Sequence, residues 1–223
     1  MSTFLRFLGL ILPVVALTAC SPSSAEGQTT AGTAKPSQEE LNQLHTAYFA
    51  SGCFWCVEAV FESVQGVKEA VSGYAGGEEP NPTYQQVSAG RTSHAEAVEV
   101  YYDSSQVDFP TLVKVFFGSH DPTTLNRQGP DRGAQYRSIA FYANDTEQKI
   151  IEEYIDQLYQ EGAYQPGAIV TEIEPIETFW KAEDYHQDYE RKNPNNPYVR
   201  SVSIPRLERF QEKYPELLKE AIH

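Results

Sequence analysis

The chain has 223 residues, enough for one well-cored domain, and an ordinary globular composition in which tyrosine and phenylalanine are frequent. Its formal net charge of −14 disfavours nucleic acid and anionic membrane surfaces as partners of the folded body. Its 3 cysteines are too few for a stapling disulfide framework.

Met1 to Arg6 make a short, weakly basic start, and Phe7 to Ala19 follow as an apolar run interrupted by Pro13. The run falls short of the roughly 20 apolar residues a membrane span needs and has the layout of a secretory signal. It ends in Leu17-Thr18-Ala19-Cys20, which resembles the lipobox of bacterial lipoproteins. That resemblance implies cleavage before Cys20, lipidation of Cys20 and an extracytoplasmic, membrane-anchored protein on the periplasmic side; Ser21 is compatible with the outer membrane. An ordinary signal peptide with an incidental cysteine is the alternative. Residues 20–44 begin as a Ser, Thr, Ala, Gly and Pro tract that cannot bury enough surface to offset its ordering entropy. The expected organisation is therefore a signal peptide over 1–19, a disordered tether over 20–44 and a catalytic domain over 45–223.

His45 to Ala50 reads as a short strand, and Val57, Val60, Phe61 and Val64 recur near helical spacing after it. Gly52-Cys53-Phe54-Trp55-Cys56 lies at this junction, with Cys53 expected at the first turn of a helix. Free amide N–H groups and the helix dipole favour a thiolate there, and the thiolate is the reactive form of cysteine. If Cys20 carries lipid, Cys53 and Cys56 are the remaining thiols. A bridge closing so small a loop contributes little stability, so the pair is read as reactive.

Val67 to Tyr74 alternates like a strand, and Glu78 to Gly90 reads as an irregular loop. His94 to Tyr102 is a clean strand, and Phe109-Pro110 opens a helix to about Gly118. His120 to Arg137 is long, polar and without period, as functional loops often are. Ser138 to Tyr142 is a strand, Asp145-Thr146-Glu147 caps a helix that stops before Gly162, and Ile169 to Ile173 is another strand. The remainder is aromatic and charged, with a helical stretch over Leu207 to Ile222. The order β-α-β-β-α-β-α-β predicts an α+β fold: a two-layer sandwich with a ferredoxin-like (split βαβ) core, a mixed sheet and a long irregular C-terminal region.

One nucleophile candidate emerges, Cys53. Phe54 and Trp55 can wall a small apolar pocket beside it, or simply pack the core. Tyr84, Arg127, Asp131 and Tyr136 sit in the irregular loops, where a core role is less natural. Glu96 shares strand parity with His94, Val98 and Val100. On a buried face its carboxyl stays protonated near neutrality and can act as a general acid; a solvated edge-strand glutamate is the alternative.

GCFWCVE (52–58), GYAGG (73–77), NPTYQQV (81–87), HAEAVEV (94–100), HDPTTLNRQGPDRGAQYRS (120–138) and FWKAEDYHQDY (179–189) together resemble peptide methionine sulfoxide reductase A. The resemblance implies reduction of the S epimer of methionine sulfoxide, free or in proteins, as repair after oxidative damage. It assigns Cys53 as nucleophile and Phe54 and Trp55 as the pocket for the S-methyl group. Glu96 becomes the proton donor to the sulfoxide oxygen, helped by Tyr84 and Tyr136, and Asp131 orients the substrate backbone. Cys53 would end as a sulfenic acid, Cys56 would trap it as a disulfide, and an external dithiol (thioredoxin or a periplasmic thioredoxin-like donor) would reduce it. No bound cofactor or metal is implied, and a monomer is expected.

Two positions depart from the common pattern. Many relatives carry glycine where Cys56 stands and resolving cysteines near the C-terminus, whereas residues 192–223 here contain none. Ser93 replaces a frequent glycine before His94. A thioredoxin-like thiol–disulfide oxidoreductase would also place C-x-x-C at a strand-to-helix junction, but it leaves Glu96, Tyr84 and the Asp131–Tyr136 loop without tasks. A metal module built on Cys53, Cys56, His94 and His120 lacks a second C-x-x-C.

Overall fold

The computed structural model describes Met1 and residues 35–220; the signal segment, Cys20 and the last residues of the expected C-terminal helix lie outside them. The elements run α1 (Gln38–Leu41), β1 (His45–Ser51), α2 (Phe54–Glu62), β2 (Val67–Ala75), α3 (Tyr84–Ser88), β3 (Ala95–Tyr102), α4 (Phe109–Gly118), β4 (Arg127–Gln128), β5 (Asp131–Arg132), β6 (Ser138–Tyr142), α5 (Asp145–Gln160), β7 (Glu172–Pro175), β8 (Trp180–Lys181), α6 (Tyr189–Lys192) and α7 (Ile204–Lys213). Among the described residues no helix is long and apolar enough to cross a membrane.

Six strands form one sheet in the order β7-β6-β1-β3-β2-β8. β1 and β2 both pair antiparallel with β3. They are therefore parallel to each other, with β3 inserted between them and α2 crossing over, which is the split βαβ unit. β6 pairs antiparallel with β1 and parallel with β7, making the sheet mixed.

Strand parity decides what each face buries. Ala47 and Phe49 of β1, Ala70 and Tyr74 of β2, and Val98 and Val100 of β3 meet α2 and α4 in the main core. Phe49 anchors it, stacked 5.0 Å from Phe61 and 5.1 Å from Phe116. Full burial of each such ring is worth about 1.5–3 kcal/mol. The opposite face carries small residues, Ala50, Ala75, Ala95 and Ala97, covered by Ile176 and Phe179 of the irregular C-terminal region. Gly73 lets that cover approach: a Cβ there would stand 2.2 Å from Phe179 Cζ and 2.5 Å from the Trp180 carbonyl.

Several boundaries differ from the sequence reading for local reasons. The end of the stretch assigned to the tether is folded: Ser37 and Glu40 form a reciprocal capping box, Leu41 is buried, and Lys35 pairs with Glu69 and with Asp188 at 2.8 Å. Tyr84–Ser88 is a one-turn helix inside the expected loop, started by Thr83, whose amide donates to Gln86 Oε1 at 2.9 Å. The cap of α5 is Asn144 rather than Asp145, accepting the Thr146 and Glu147 amides at 3.1 Å. The last parallel strand begins at Glu172 because the Val170 amide is drawn to the Pro122 carbonyl at 2.8 Å. The C-terminal helix ends at Lys213, followed by a short 3-10 turn over Pro215–Leu217.

Candidate active site

The site is built at the turn from β1 into α2. Gly52 has φ +90, and a Cβ on it would lie 2.6 Å from Gln128 Cβ, so glycine alone fits. The turn sets Cys53 as the N-cap residue of α2, just outside the helix, its carbonyl accepting the Cys56 amide at 3.1 Å. The next amide, that of Phe54, donates to Glu96 Oε2 at 3.1 Å. This bond places the Glu96 carboxyl against the residue after the cysteine. Glu96 is 1% exposed, and burial pushes its carboxyl up to about 8 against the Phe54 bond, with the Asp131 and Cys56 charges adding to the shift. It is a protonated acid at neutral pH, as its strand parity suggested.

The thiols contradict one expectation. Cys53 is not a lowered thiol: burial, then the adjoining Cys56 and the Glu96 charge, push it well above an ordinary thiol. The helix dipole loses because the site is dry and Glu96 takes the Phe54 amide. Cys56 is the acidic member of the pair, lowered to about 7 by a hydrogen bond from the Cys53 thiol and, against burial, by the Arg206 charge and the Ser203 and Tyr198 hydroxyls.

Aromatic side chains enclose the cysteine. Phe54 is buried, with ring centroids 4.9 Å from His186, 5.9 Å from Tyr74 and 6.4 Å from Tyr84. Trp55 stacks on Tyr189 at 3.7 Å, and its Nε1 donates to His186 Nδ1 at 3.0 Å. That bond puts the His186 proton on Nε2, and burial holds the ring below the ordinary histidine range, hence neutral. Tyr84 is raised to about 12 by burial and by Glu96, and Tyr136 still higher for the same reasons. Both phenols therefore remain protonated hydrogen-bond donors within reach of the Glu96 and Cys53 charges. One buried acid, two phenols and two thiols gathered at this turn are suited to placing a thiol against a polarised S–O group and protonating its oxygen.

The sequence model of the family described as peptide methionine sulfoxide reductase matches residues 45–218. The chain belongs to this family. It is 51% identical over 171 residues to peptide methionine sulfoxide reductase MsrA of Natronomonas pharaonis, covering 77% of this chain and 96% of that protein. MsrA 1 of Rhodopirellula baltica is 50% identical over 173 residues, covering 78% and 88%. Among solved structures, methionine sulfoxide reductase A of Corynebacterium diphtheriae is similar with a TM-score of 0.59 at 41% identity, covering 67% of this chain and 74% of that one. Mxr1 of Saccharomyces cerevisiae in reduced form gives a TM-score of 0.61 at 35% identity, covering 68% and 87%. The protein is thus a thiol-dependent oxidoreductase of the peptide-methionine (S)-S-oxide class.

Within this reductase, Glu96, Phe54, Trp55 and Tyr84 meet at the Cys53–Cys56 turn, and the charges of Glu96 and Cys53 reach Tyr136, whereas Asp131 is engaged differently. Asp131 sits on β5 and accepts the Tyr198 hydroxyl at 2.5 Å. Tyr198 in turn lies 3.9 Å from Cys56 Sγ, so Asp131 reaches the cysteines through it. Arg127 stays on the β4–β5 hairpin opposite Arg132, lining a cleft with Thr123 and Leu125. The histidines of the metal reading are elsewhere: His94 Nε2 contacts the Glu79 carbonyl at 2.7 Å, and His120 bridges the Phe116 carbonyl and Ser138 Oγ. Burial lowers His120 to about 3 and keeps it neutral. Among the described residues the one grouping of possible metal ligands is Glu58, Glu62 and Asp188. There Asp188 is already met by Lys35, Arg191 and Lys192. Ser93 earns its departure from glycine by binding the Glu79 carboxylate through its hydroxyl at 2.8 Å.

Sequence reasoning missed Tyr198, Ser203 and Arg206. They lie in a polar, aperiodic stretch and the helix after it, a region without the cysteines that would have drawn attention. The motif 179–189 did contain His186 and Tyr189, but nothing in its spacing assigned them to the Trp55 indole.

Proposed function

We propose that Cys53 carries out the reduction and that Cys56 completes the cycle. The Cys53 sulfur attacks the sulfoxide sulfur while Glu96 protonates the oxygen, with Tyr84 and Tyr136 donating to it. The sulfoxide S–O bond breaks as the oxygen passes to Cys53, the Cys53 thiol proton returns to Glu96, methionine leaves with two electrons more than the sulfoxide had, and Cys53 becomes a sulfenic acid. Phe54 and Trp55 accept the S-methyl group, and Asp131, through Tyr198, orders the substrate's backbone side. Cys56 then attacks the sulfenic sulfur: the S–O bond breaks, the disulfide forms and water departs with the Cys56 proton. Because Cys53 lies outside the helix as its cap, the bridge spans a cap and a first-turn residue and leaves the ladder beyond Val57 in place. An external dithiol, thioredoxin or a periplasmic thioredoxin-like donor, restores both thiols.

The observation that carries this reading is the Glu96 carboxyl, buried and bound to the Phe54 amide beside Cys53. Turnover of separate S and R epimers of a methyl sulfoxide with dithiothreitol tests it. The S epimer alone should be consumed, and Cys53→Ser should abolish that. Full activity in Cys53→Ser would overturn the assignment.

The N-terminal residues support a further part of the proposal: a monomeric enzyme anchored by lipid at Cys20 to the extracytoplasmic side of a bacterial membrane, where it repairs oxidised proteins. Incorporation of labelled fatty acid in cells, lost in Cys20→Ala, is the expected result. Unchanged labelling, or none in either protein, would contradict it.

A further inference from the structure

Lys35 precedes the stretch matched by the family model, residues 45–218, yet it is part of the catalytic body. Just after it, Ser37 and Glu40 cap a short helix and Leu41 is buried, which fixes where the lysine emerges. Its ammonium grips two carboxylates from different elements, Asp188 Oδ2 at 2.8 Å and Glu69 of β2. Both acids are buried, and Lys35 is half-exposed.

Asp188 lies in the middle of the segment that walls Trp55. Its backbone is left-handed, at φ +56, a conformation aspartate tolerates better than most residues. The turn it makes separates two contacts with the indole: His186 Nδ1, which accepts from Nε1 at 3.0 Å, and the Tyr189 ring, stacked at 3.7 Å. The backbone of this turn is held by the Glu58 carboxyl of α2, which accepts the Asp188 amide, and by the Gln187 carboxamide, which exchanges two 3.0 Å bonds with the Ser72 backbone. The Asp188 carboxylate is held by cations. Arg191 at 2.7 Å and Lys192 at 3.1 Å come from its own short helix, three and four residues on, so they neutralise it without tying it to another element. Of these three cations Lys35 is the one that also pairs with the sheet, through Glu69. Without the ammonium between them, the Glu69 and Asp188 carboxylates would repel, pushing the turn away from the sheet.

We propose that Lys35 is a positioning residue for substrate binding: by drawing Asp188 toward Glu69 it keeps His186 and Tyr189 seated against Trp55. This rests on the reading of Trp55 as a wall of the S-methyl pocket. A residue outside the family-matched region thereby sets how firmly that wall is held. It acts through Asp188 and takes no part in the chemical steps.

The test uses the full chain. Lys35→Met keeps the aliphatic stem and removes the charge, while Asp188 retains Arg191 and Lys192. KM for the S epimer of a peptide methyl sulfoxide, with dithiothreitol as reductant, should rise about fivefold while kcat stays within about twofold. Lys35→Arg, which keeps the charge, should restore KM. Adding Glu69→Gln to Lys35→Met removes the repulsion and should recover most of the loss, which a purely structural defect would not do. A second readout needs no turnover: in a Trp180→Phe background, Trp55 emission should move to longer wavelength in Lys35→Met and return in Lys35→Arg. Unchanged KM and emission, or a loss that neither Lys35→Arg nor Glu69→Gln relieves, would overturn the proposal. Should Lys35→Met not fold, Glu69→Gln alone decides, because it unties the bridge from the sheet side; unmoved Trp55 emission there refutes it. Trp55→Ala tests the parent reading separately. If it leaves KM unchanged, Trp55 is not a pocket wall, whatever Lys35 does to its emission.

Discussion

Glu96→Gln isolates the acid from the shape of the site. Glutamine can still accept the Phe54 amide and still donate an N–H toward a bound sulfoxide, but it cannot transfer a proton. Loss of a positioned general acid costs about 10²–10⁴-fold, and that is the expected fall in single-turnover methionine formation. The wild-type rate should be flat at low pH and fall with a one-proton slope above about 8, where Glu96 loses its proton. The variant should lack that limb. Stability gives a second reading of the same group. Its folded value, about 8, lies above its ordinary 4.5. The stability it confers is therefore fully present below the unfolded value and is lost as pH rises through the folded one. A shift of that size corresponds to at most about 5 kcal/mol. The melting temperature of Glu96→Gln relative to wild type should climb between pH 4.5 and 8 and then level off. Activity within tenfold of wild type, or a limb near 8 that survives in the variant, would refute the reasoning.

Three other perturbations address separate parts of the site. Cys56→Ser should form one equivalent of methionine and then stall with a dimedone-reactive Cys53, which quenched-flow product counts and mass spectrometry will show. Gly52→Ala meets Gln128 at 2.6 Å on a φ of +90, and should cost about 1–3 kcal/mol in chemical denaturation along with most of the activity. Gly90→Ala, at φ +64 with nothing within 4 Å, is the control that keeps activity. Trp55→Phe keeps the stack on Tyr189 but removes the bond to His186, leaving a buried nitrogen unpaired; kcat/KM should fall by about 1–3 kcal/mol, read from steady-state kinetics.

The fold was legible wherever burial imposes a period. The parity of β3 placed Glu96 with Val98 and Val100 on the core face, and the register with β1 and β2 bears that out. The helix after Cys53 followed from Val57, Val60 and Phe61 in the same way. Elements held by a few polar bonds were less legible: α3, which rests on a Thr83–Gln86 box, lay inside an expected loop, and β7, expected over Ile169 to Ile173, runs over Glu172–Pro175, where its pairing with β6 holds it. The chemistry of the thiols was misjudged for a related reason. A helix start can be read from sequence, but the dryness of the pocket around Cys53 and the Arg206 charge near Cys56 arise from segments distant in sequence.

The central claim is that Cys53 takes the sulfoxide oxygen as a sulfenic acid and gives it up as water when the bridge to Cys56 forms. Intact mass and peptide mapping after one equivalent of each epimer, without reductant, test it most directly. The account predicts that the S epimer yields one methionine per chain and a protein lighter by about 2 Da, with the loss mapping to a Cys53–Cys56 disulfide. It predicts that the R epimer leaves both thiols free. Methionine formed with Cys53 unmodified, or a bridge formed equally by both epimers, would contradict it.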